Sequence, residues 1–261
     1  MSADIHAVVD LTSLRKSCAA CGLNYLCLPA AIGGDALQRL DEILQARRPL
    51  NRGQAVFRNQ APFTALYVVR SGSFKSFTTN EHGDIQVLGY HLPGEILGFD
   101  GLSTDQHQCA VEALERSTVC EVPYQKLTQI AAQLPDLQRQ LMRVISREVH
   151  RDHEHLVMMG RRHAQERLAI FLKSLSERYR RLQRDPQALT LGMSRYELAN
   201  YLGLVVETVS RLFTRMQSAG VLEVHRKTVR ILDLAKLEEM CGESQDGDRG
   251  AAVGTASARH G

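Results

Sequence analysis

The chain has 261 residues, 44% of them hydrophobic and 23% charged, and a formal net charge of +3 at pH 7. This composition predicts two globular domains and argues against a disordered chain. The charge alone does not indicate a nucleic-acid partner, and no apolar run has membrane-spanning length, so we expect a cytoplasmic protein without a membrane partner.

The first 29 residues form a cysteine-rich segment. Residues 1–17 mix charged and apolar side chains and lack the apolar core of a signal peptide. Cys18, Cys21 and Cys27 then follow within ten positions. Because cytosolic thiols stay reduced, this spacing indicates metal or redox chemistry rather than disulfides.

Three thiolates on a short loop can bind one face of a metal centre and leave the fourth ligand to a distant residue. No second Cys-x-x-Cys pair is present, so the spacing favours an iron-sulfur cluster over zinc without excluding zinc. The candidates for the fourth ligand are Cys109, Cys120 and Cys241.

Residues 30–135 are predicted to form a β-roll. Short β-prone segments alternate with turn residues, a pattern typical of small barrels and rolls. The predicted strands are Gln54–Phe57, Ala65–Arg70, Ser73–Thr78, Ile85–His91 and Val119–Val122.

Residues 136–160 are predicted to form one long helix. Its apolar residues recur on one stripe: Leu137, Leu141, Ile145, Val149, Leu156 and Met159. A stripe of this length exceeds the needs of one small domain and predicts pairing with a second copy of the chain. We expect Leu141, Ile145, Val149, Asp152 and Leu156 to lie in that dimer interface.

Asp152 is the polar residue in line with this stripe. In a parallel pair of helices its two copies would repel each other and oppose dimerisation. The alternative is that Asp152 turns outward and pairs with Arg147 or Arg151 of the partner subunit, which would stabilise the dimer.

Residues 161–241 are predicted to form a winged helix-turn-helix that binds double-stranded DNA. They carry 15 lysines and arginines against 9 acidic residues, whereas residues 30–135 carry 9 against 11. A helix is expected over Ala164–Leu182, and Ser194 and Glu197 fit a capping box that begins a short helix ending at Gly203.

The next helix, Val206–Ser218, has an apolar face and a polar face. Glu207, Ser210 and Arg211 share the polar face, and all three side-chain types can read base edges in the major groove. The alternative is an ordinary ion pair between Glu207 and Arg211 on a solvated face. The segment from residue 220 to 232 reads as a β-hairpin wing, and residues 242–261 as a disordered tail.

The string from Gly203 to Leu212, with Glu207, Ser210 and Arg211 in place, resembles the recognition motif of the CRP/FNR superfamily of bacterial regulators, and most closely its FNR branch. The resemblance extends to about Cys241. It implies an α+β fold made of a cyclic-nucleotide-binding-like β-roll, a long dimerisation helix and a C-terminal winged helix-turn-helix. It departs from the family at Val205, where relatives often carry a capping Ser or Thr.

The resemblance also implies a cofactor and partners. The string Ala113–Pro123 matches the family's distant ligand at Cys120, so a four-iron, four-sulfur (4Fe-4S) cluster is expected on Cys18, Cys21, Cys27 and Cys120. Oxygen would convert it to a two-iron, two-sulfur (2Fe-2S) form with loss of DNA binding. A homodimer on a palindrome of TTGAT-like half-sites is implied, with RNA polymerase contacting loops such as the one at Gly83 and Asp84.

Two other functions are less favoured. A cyclic-nucleotide sensor needs a cation for the ligand phosphate, but residues 76–115 contain no lysine or arginine, so no cyclic nucleotide is expected. Nucleotide-binding and serine-hydrolase motifs are absent, and His150 and His153 read as solvated helix residues, so an enzyme is not expected.

Overall fold

The computed structural model describes Cys18 and residues 21–44, 48–161 and 163–242. The predicted fold is confirmed: an N-terminal β-roll, a long helix and a C-terminal winged helix-turn-helix follow one another along the chain. No helix in the described ranges is both long and apolar enough to cross a membrane.

The β-roll consists of two antiparallel four-stranded sheets, with strand orders β1-β8-β3-β6 and β2-β7-β4-β5. Alternate residues of both sheets point inward and form a shared core around Val69, Phe74 and Val119. Helix α1 (Asp35–Ile43) precedes the sheets and α2 (Tyr124–Gln133) follows them. The strands are β1 (Arg48–Leu50), β2 (Ala55–Phe57), β3 (Ala65–Ser71), β4 (Phe74–Thr79), β5 (Ile85–His91), β6 (Ile96–Leu97), β7 (Ala110–Ala113) and β8 (Ser117–Pro123).

The long helix α3 spans Pro135–Met159 and begins with proline, which lacks the N–H that a first helical turn leaves unbonded. The apolar residues of its stripe are not all covered in the same way. Leu137 and Leu141 are buried against the β-roll of their own chain, whereas Val149 and Leu156 are 47% and 66% exposed. The N-terminal half of α3 thus belongs to the core of its own subunit, and the C-terminal half presents an apolar face to solvent.

The C-terminal region contains α4 (Ala164–Arg181), β9 (Ala188–Thr190), α5 (Arg195–Leu202), α6 (Val206–Ser218), β10 (Leu222–His225), β11 (Thr228–Ile231) and α7 (Leu234–Met240). The capping box is confirmed: the Ser194 hydroxyl accepts from the Glu197 N–H at 3.2 Å, and the Glu197 carboxylate accepts from the Ser194 N–H at 2.7 Å. Gly203 ends α5 in the left-handed region, at φ 61°. The predicted tail, apart from Gly242, lies outside the described residues.

The β-roll and the C-terminal region pack directly on each other. Tyr90 and Leu114 of the β-roll share one hydrophobic cluster with Leu172 of α4 and Met193 before α5. Asn200 of α5 accepts a hydrogen bond from the N–H of Val87 and donates one to the carbonyl of Ile85, each at 2.6 Å. The helix-turn-helix is therefore fixed to strand β5 in this conformation.

Candidate functional site

The cysteine segment winds through a series of tight turns. The N–H of Cys21 donates to the carbonyl of Cys18 at 3.1 Å, and the N–H of Cys27 donates to Leu23 at 3.1 Å. The backbone of Cys18 is attached to α1 by a 2.7 Å hydrogen bond to the Asp41 carboxylate. These turns bring three cysteines of one short segment close to the β-roll.

Cys120 approaches the same region from strand β8, where it pairs with Val68 of β3. Cys27 and Cys120 pack against one hydrophobic cluster, which includes Leu28 and Leu66. Burial raises the pKa of the Cys27 thiol to about 12, and the nearby Cys120 and Cys21 thiols act in the same direction. The thiols of the segment and of β8 are therefore close enough to affect one another.

The pKa of Cys18 is also raised, mainly by burial and by its hydrogen bond to Asp41, with Cys27 and Cys120 adding to the effect. We refer to Cys18, Cys21, Cys27 and Cys120 as the four-cysteine set. The raised pKa values of Cys18 and Cys27 favour their protonated thiols until a metal compensates the thiolate charge.

In the part of the chain that the structure describes, no group of three or more His, Cys, Asp or Glu side chains is arranged to hold one metal ion. Ligands of a polynuclear cluster stand farther apart than those of a single ion, because each ligand binds a different metal atom. The four-cysteine set offers three thiols from a turn segment and one from a neighbouring strand. Thiolates are the ligands that bind iron-sulfur clusters, so these residues suit such a cluster.

The other two cysteines lie in separate cores. Cys109 is buried in the β-roll, and its thiol donates to the Asp100 carboxylate at 3.4 Å. Cys241 is 2% exposed in the core of the C-terminal region, and its thiol donates to the Leu237 carbonyl. Both thiols are thus packed away from the four-cysteine set.

Several residues next to the cysteine segment escaped the sequence analysis. Arg70 donates to the Cys21 sulfur at 3.2 Å, and the Gln140 side chain donates to the Cys27 carbonyl at 3.1 Å. The Tyr25 hydroxyl donates to the Arg181 carbonyl of α4 at 3.0 Å. Each contact joins positions at least 49 residues apart, so no local pattern could have revealed it.

The loop between β5 and β6 lies beneath the cysteine segment. Leu26 packs so closely on Gly94 that a Cβ added to this glycine would lie 3.1 Å from the Leu26 Cβ. Leu26 also borders a cavity of about 360 Å³, which is lined further by residues 93–96 and by residues of α3 and α4. The cysteine segment therefore contacts the junction of the β-roll with both helices.

Glu95, next to Gly94, joins the three units at this junction. Its carboxylate accepts from Arg151 of α3 at 2.7 Å and from Arg178 of α4 at 2.8 and 2.9 Å. Burial alone would raise the pKa of Glu95, but the two guanidinium groups lower it to about 2. The carboxylate is consequently ionised at neutral pH and binds both helices to the β-roll.

The predicted DNA-reading residues of α6 are accessible. Glu207, Ser210 and Arg211 are exposed, whereas Val209 and Phe213 on the opposite face are buried. Among the described residues, no ion pair joins Glu207 to Arg211, so the ordinary salt bridge considered above is not formed. Val205 provides no side-chain cap for α6.

The wing is a tight hairpin whose turn presents two cations. Arg226 adopts a left-handed conformation at φ 54° between β10 and β11, and Lys227 follows it. Arg226, Lys227 and Arg230 are all exposed. Basic side chains on a wing beside a recognition helix are well placed to contact phosphates.

On α3, Asp152 is exposed between Val149 and Leu156. Arg151, one of the alternatives for an outward ion pair, is already bonded to Glu95 and to Glu148, the latter at 3.0 Å. Pairing Asp152 with Arg151 of the partner subunit would compete with these bonds.

Comparisons with known proteins agree with this architecture. A model of the cyclic nucleotide-binding domain matches residues 47–134, and one of the Crp-like helix-turn-helix domain matches residues 166–240. The transcriptional activator protein Anr of Pseudomonas protegens is 43% identical over 233 residues, which cover 89% of this chain and 96% of the relative.

The fumarate and nitrate reduction regulatory protein of Vibrio cholerae is 39% identical over 229 residues, covering 88% of this chain and 92% of the relative. Among solved structures, FixK2 from Bradyrhizobium japonicum superposes with a TM-score of 0.69 at 26% identity, covering 75% of this chain and 96% of FixK2.

Proposed function

This chain is a DNA-binding transcription regulator of the CRP/FNR family, in its FNR branch, and we propose that it controls anaerobic gene expression through an oxygen-labile 4Fe-4S cluster on the four-cysteine set. The observation that carries this proposal is that Cys27 and Cys120 reach the same hydrophobic cluster from elements far apart in sequence. When bound, such a cluster would react with dioxygen and be degraded by it.

The surrounding residues couple this site to the rest of the chain. Cys27 is hydrogen-bonded to Gln140 of α3, and Tyr25 to the end of α4. Leu26 packs on Gly94, beside the Glu95 junction. Ordering the cysteine segment would therefore orient both α3 and the helix-turn-helix.

We further propose that the chain binds DNA as a homodimer through the exposed face of α3. Met142, Val149 and Leu156 are large apolar side chains that are 47–66% exposed, and Ile145 lies between them. Together with Asp152, these positions alternate at spacings of three and four residues. Such a spacing is typical of a coiled-coil interface. Leu141, by contrast, contributes to the core of its own chain.

In such a dimer, Glu207, Ser210 and Arg211 of each subunit would read one TTGAT-like half-site, and the wing cations would contact phosphates. The turn at residues 80–84 is exposed and held by Asn80, whose side chain accepts from the N–H groups of His82 and Asp84. Its fixed shape suits the proposed contact with RNA polymerase at Gly83 and Asp84.

A cyclic-nucleotide ligand is less well supported. The corresponding part of the β-roll carries His107, which is 1% exposed, stacked on Phe57 and hydrogen-bonded to Asp100. Residues 76–115 offer no lysine or arginine to a phosphate. A zinc- or thiol-redox-dependent regulator remains the second candidate, since it would use the same thiols.

The test is DNA binding by the anaerobically purified full chain, measured by fluorescence anisotropy under nitrogen and after exposure to air. We expect binding to a duplex with two TTGAT half-sites to weaken about 10-fold or more in air, within the usual range of coupling between two sites. A scrambled duplex serves as the control. Equal affinity under nitrogen and in air would overturn oxygen control.

A further inference from the structure

We infer that Arg70 is a positioning residue of the four-cysteine set, which fixes the Cys21 sulfur and slows oxidation of the cluster bound there. The inference rests on the proposed function, because it concerns the group that those cysteines would hold. Its basis is the 3.2 Å hydrogen bond from the Arg70 Nη1 to the Cys21 Sγ.

An irregularity in strand β3 places Arg70 beside this sulfur. Strand β3 pairs with β8 in register from Ala65↔Pro123 to Val69↔Val119, and the register then shifts before Ser71↔Thr118. Arg70 is the residue at this bulge. A bulge redirects the side chain of the extra residue, and bulges are common beside functional sites. Cys120 lies on the neighbouring strand, opposite Val68.

The charge of Arg70 is available to the sulfur. Within the described ranges, the Arg70 guanidinium donates its side-chain hydrogen bond to Cys21 and forms no ion pair with a carboxylate. Arg70 is half-buried, so water screens its charge less than at an exposed site. This contrasts with Arg151 and Arg178, which both form ion pairs with the carboxylate of Glu95.

A fixed cation beside a ligand sulfur favours the more negative state of a cluster. Hydrogen bonds to the sulfurs and nearby charge are among the factors that set the potentials of iron-sulfur centres. Oxidation of a cluster held there would transfer one electron to dioxygen, which would become superoxide, and would leave the site one unit less negative. Arg70 keeps its own bonds and proton throughout, and it opposes this transfer electrostatically.

The experiment compares the full chain with Arg70→Gln, Arg70→Lys and the matched control Arg58→Gln, all purified under nitrogen. Arg58 is an exposed arginine of the same β-roll. Iron and acid-labile sulfide are measured first, and the decay of the visible absorbance is then followed after addition of air-saturated buffer.

We expect Arg70→Gln to retain iron and sulfide but to decay about tenfold faster than the parent, because it lacks a charge-assisted hydrogen bond. Arg70→Lys keeps the charge without the planar donor geometry and should decay about threefold faster. Arg58→Gln should match the parent.

An Arg70→Gln variant that holds iron and sulfide but decays at the parent's rate would overturn this inference and leave the proposed function intact. If Arg70→Gln does not load, Arg70→Lys decides, and a decay rate equal to that of Arg58→Gln overturns the inference. A parent chain without iron and sulfide would instead overturn the proposed function, and the inference with it.

Discussion

The Lys75 ammonium lies 2.7 Å from the Glu197 carboxylate, so a largely buried ion pair joins strand β4 of the β-roll to helix α5 of the helix-turn-helix. The same carboxylate closes the capping box of α5 on Ser194. Burial alone would raise the pKa of Glu197, but the hydrogen bond from Lys75 holds it below its ordinary value. One carboxylate thus caps the N-terminus of α5 and attaches this helix to the β-roll.

Replacing Lys75 by Met should lower the free energy of unfolding by about 3 kcal/mol, because it leaves Glu197 and Glu112 without their buried cation. Urea denaturation of the air-exposed chain measures the change. Lys126→Met, at an exposed position on α2, is the matched control and should change stability by less than about 0.5 kcal/mol. Similar losses in both variants would contradict a role for this ion pair.

Replacing Glu95 by Gln should lower the free energy of unfolding by about 3 to 5 kcal/mol at neutral pH, because Arg151 and Arg178 lose a common carboxylate. The effect depends on pH with a definite sign. Since the pKa of Glu95 is about 2 when folded and ordinarily 4.5, its stabilisation is complete above pH 4.5 and is lost as the pH falls toward 2.

Urea titrations of the parent and Glu95→Gln at several pH values measure this difference, which should shrink steadily below pH 4.5. Glu154→Gln is the control, because Glu154 is exposed and faces His150 on the same helix. If the difference in unfolding free energy between the two chains stays constant from pH 4.5 down to pH 2, the junction does not depend on the charge of Glu95.

Local sequence patterns were sufficient for elements that carry their own signals. The capping box at Ser194, the glycine that ends α5 and the two faces of α6 were predicted and lie where expected. The strands β3, β4 and β5 were also predicted, since each has six or seven residues and is bounded by turn residues.

The strands that were missed are short or lack a clear pattern. Strand β1 has three residues, of which one is Pro49, and β6 has two. Strand β7 reads Ala-Val-Glu-Ala, and β9 has three residues. Pairing with neighbours distant in sequence, rather than intrinsic propensity, makes these segments extended.

Long-range contacts set the limit of prediction for the site. The cysteine spacing and the family resemblance indicated the four-cysteine set, but nothing near Arg70 in sequence pointed to Cys21. The stripe on α3 was read as one surface because periodicity shows which residues share a face, not what covers it. Leu141 is covered by its own β-roll, whereas Val149 and Leu156 are exposed.

If α6 reads bases, replacing Arg211 of α6 and Lys227 of the wing should change DNA affinity in different ways. Arg211→Ala should weaken binding to the TTGAT-type duplex by about 1 to 3 kcal/mol and relax preference at one guanine. Lys227→Ala should weaken binding to all duplexes alike and reduce the salt dependence of affinity. Anisotropy titrations with matched, single-substituted and scrambled duplexes separate the two. An equal loss on specific and scrambled DNA in Arg211→Ala would count against base reading.

Asp152 provides a test of how dimerisation is controlled. If its two copies repel across the α3 interface, Asp152→Ala should favour the cluster-free dimer by about 1 to 3 kcal/mol and bind DNA in air. Sedimentation velocity of the cluster-free chain measures the dimer fraction. Glu154→Ala, which removes an exposed carboxylate two residues away, should behave like the parent. A monomeric Asp152→Ala variant, at concentrations where the cluster-free parent is monomeric, would exclude repulsion.

The iron and acid-labile sulfide content of the anaerobically purified chain tests the central claim most directly. We expect about four of each per parent chain, and the same in Cys109→Ser and Cys241→Ser, whose thiols lie in separate cores. Cys120→Ser, like serine variants of Cys18, Cys21 and Cys27, should lose both. A parent chain that holds zinc or no metal, or a Cys120→Ser variant with full iron alongside an iron-free Cys109→Ser variant, would contradict the account.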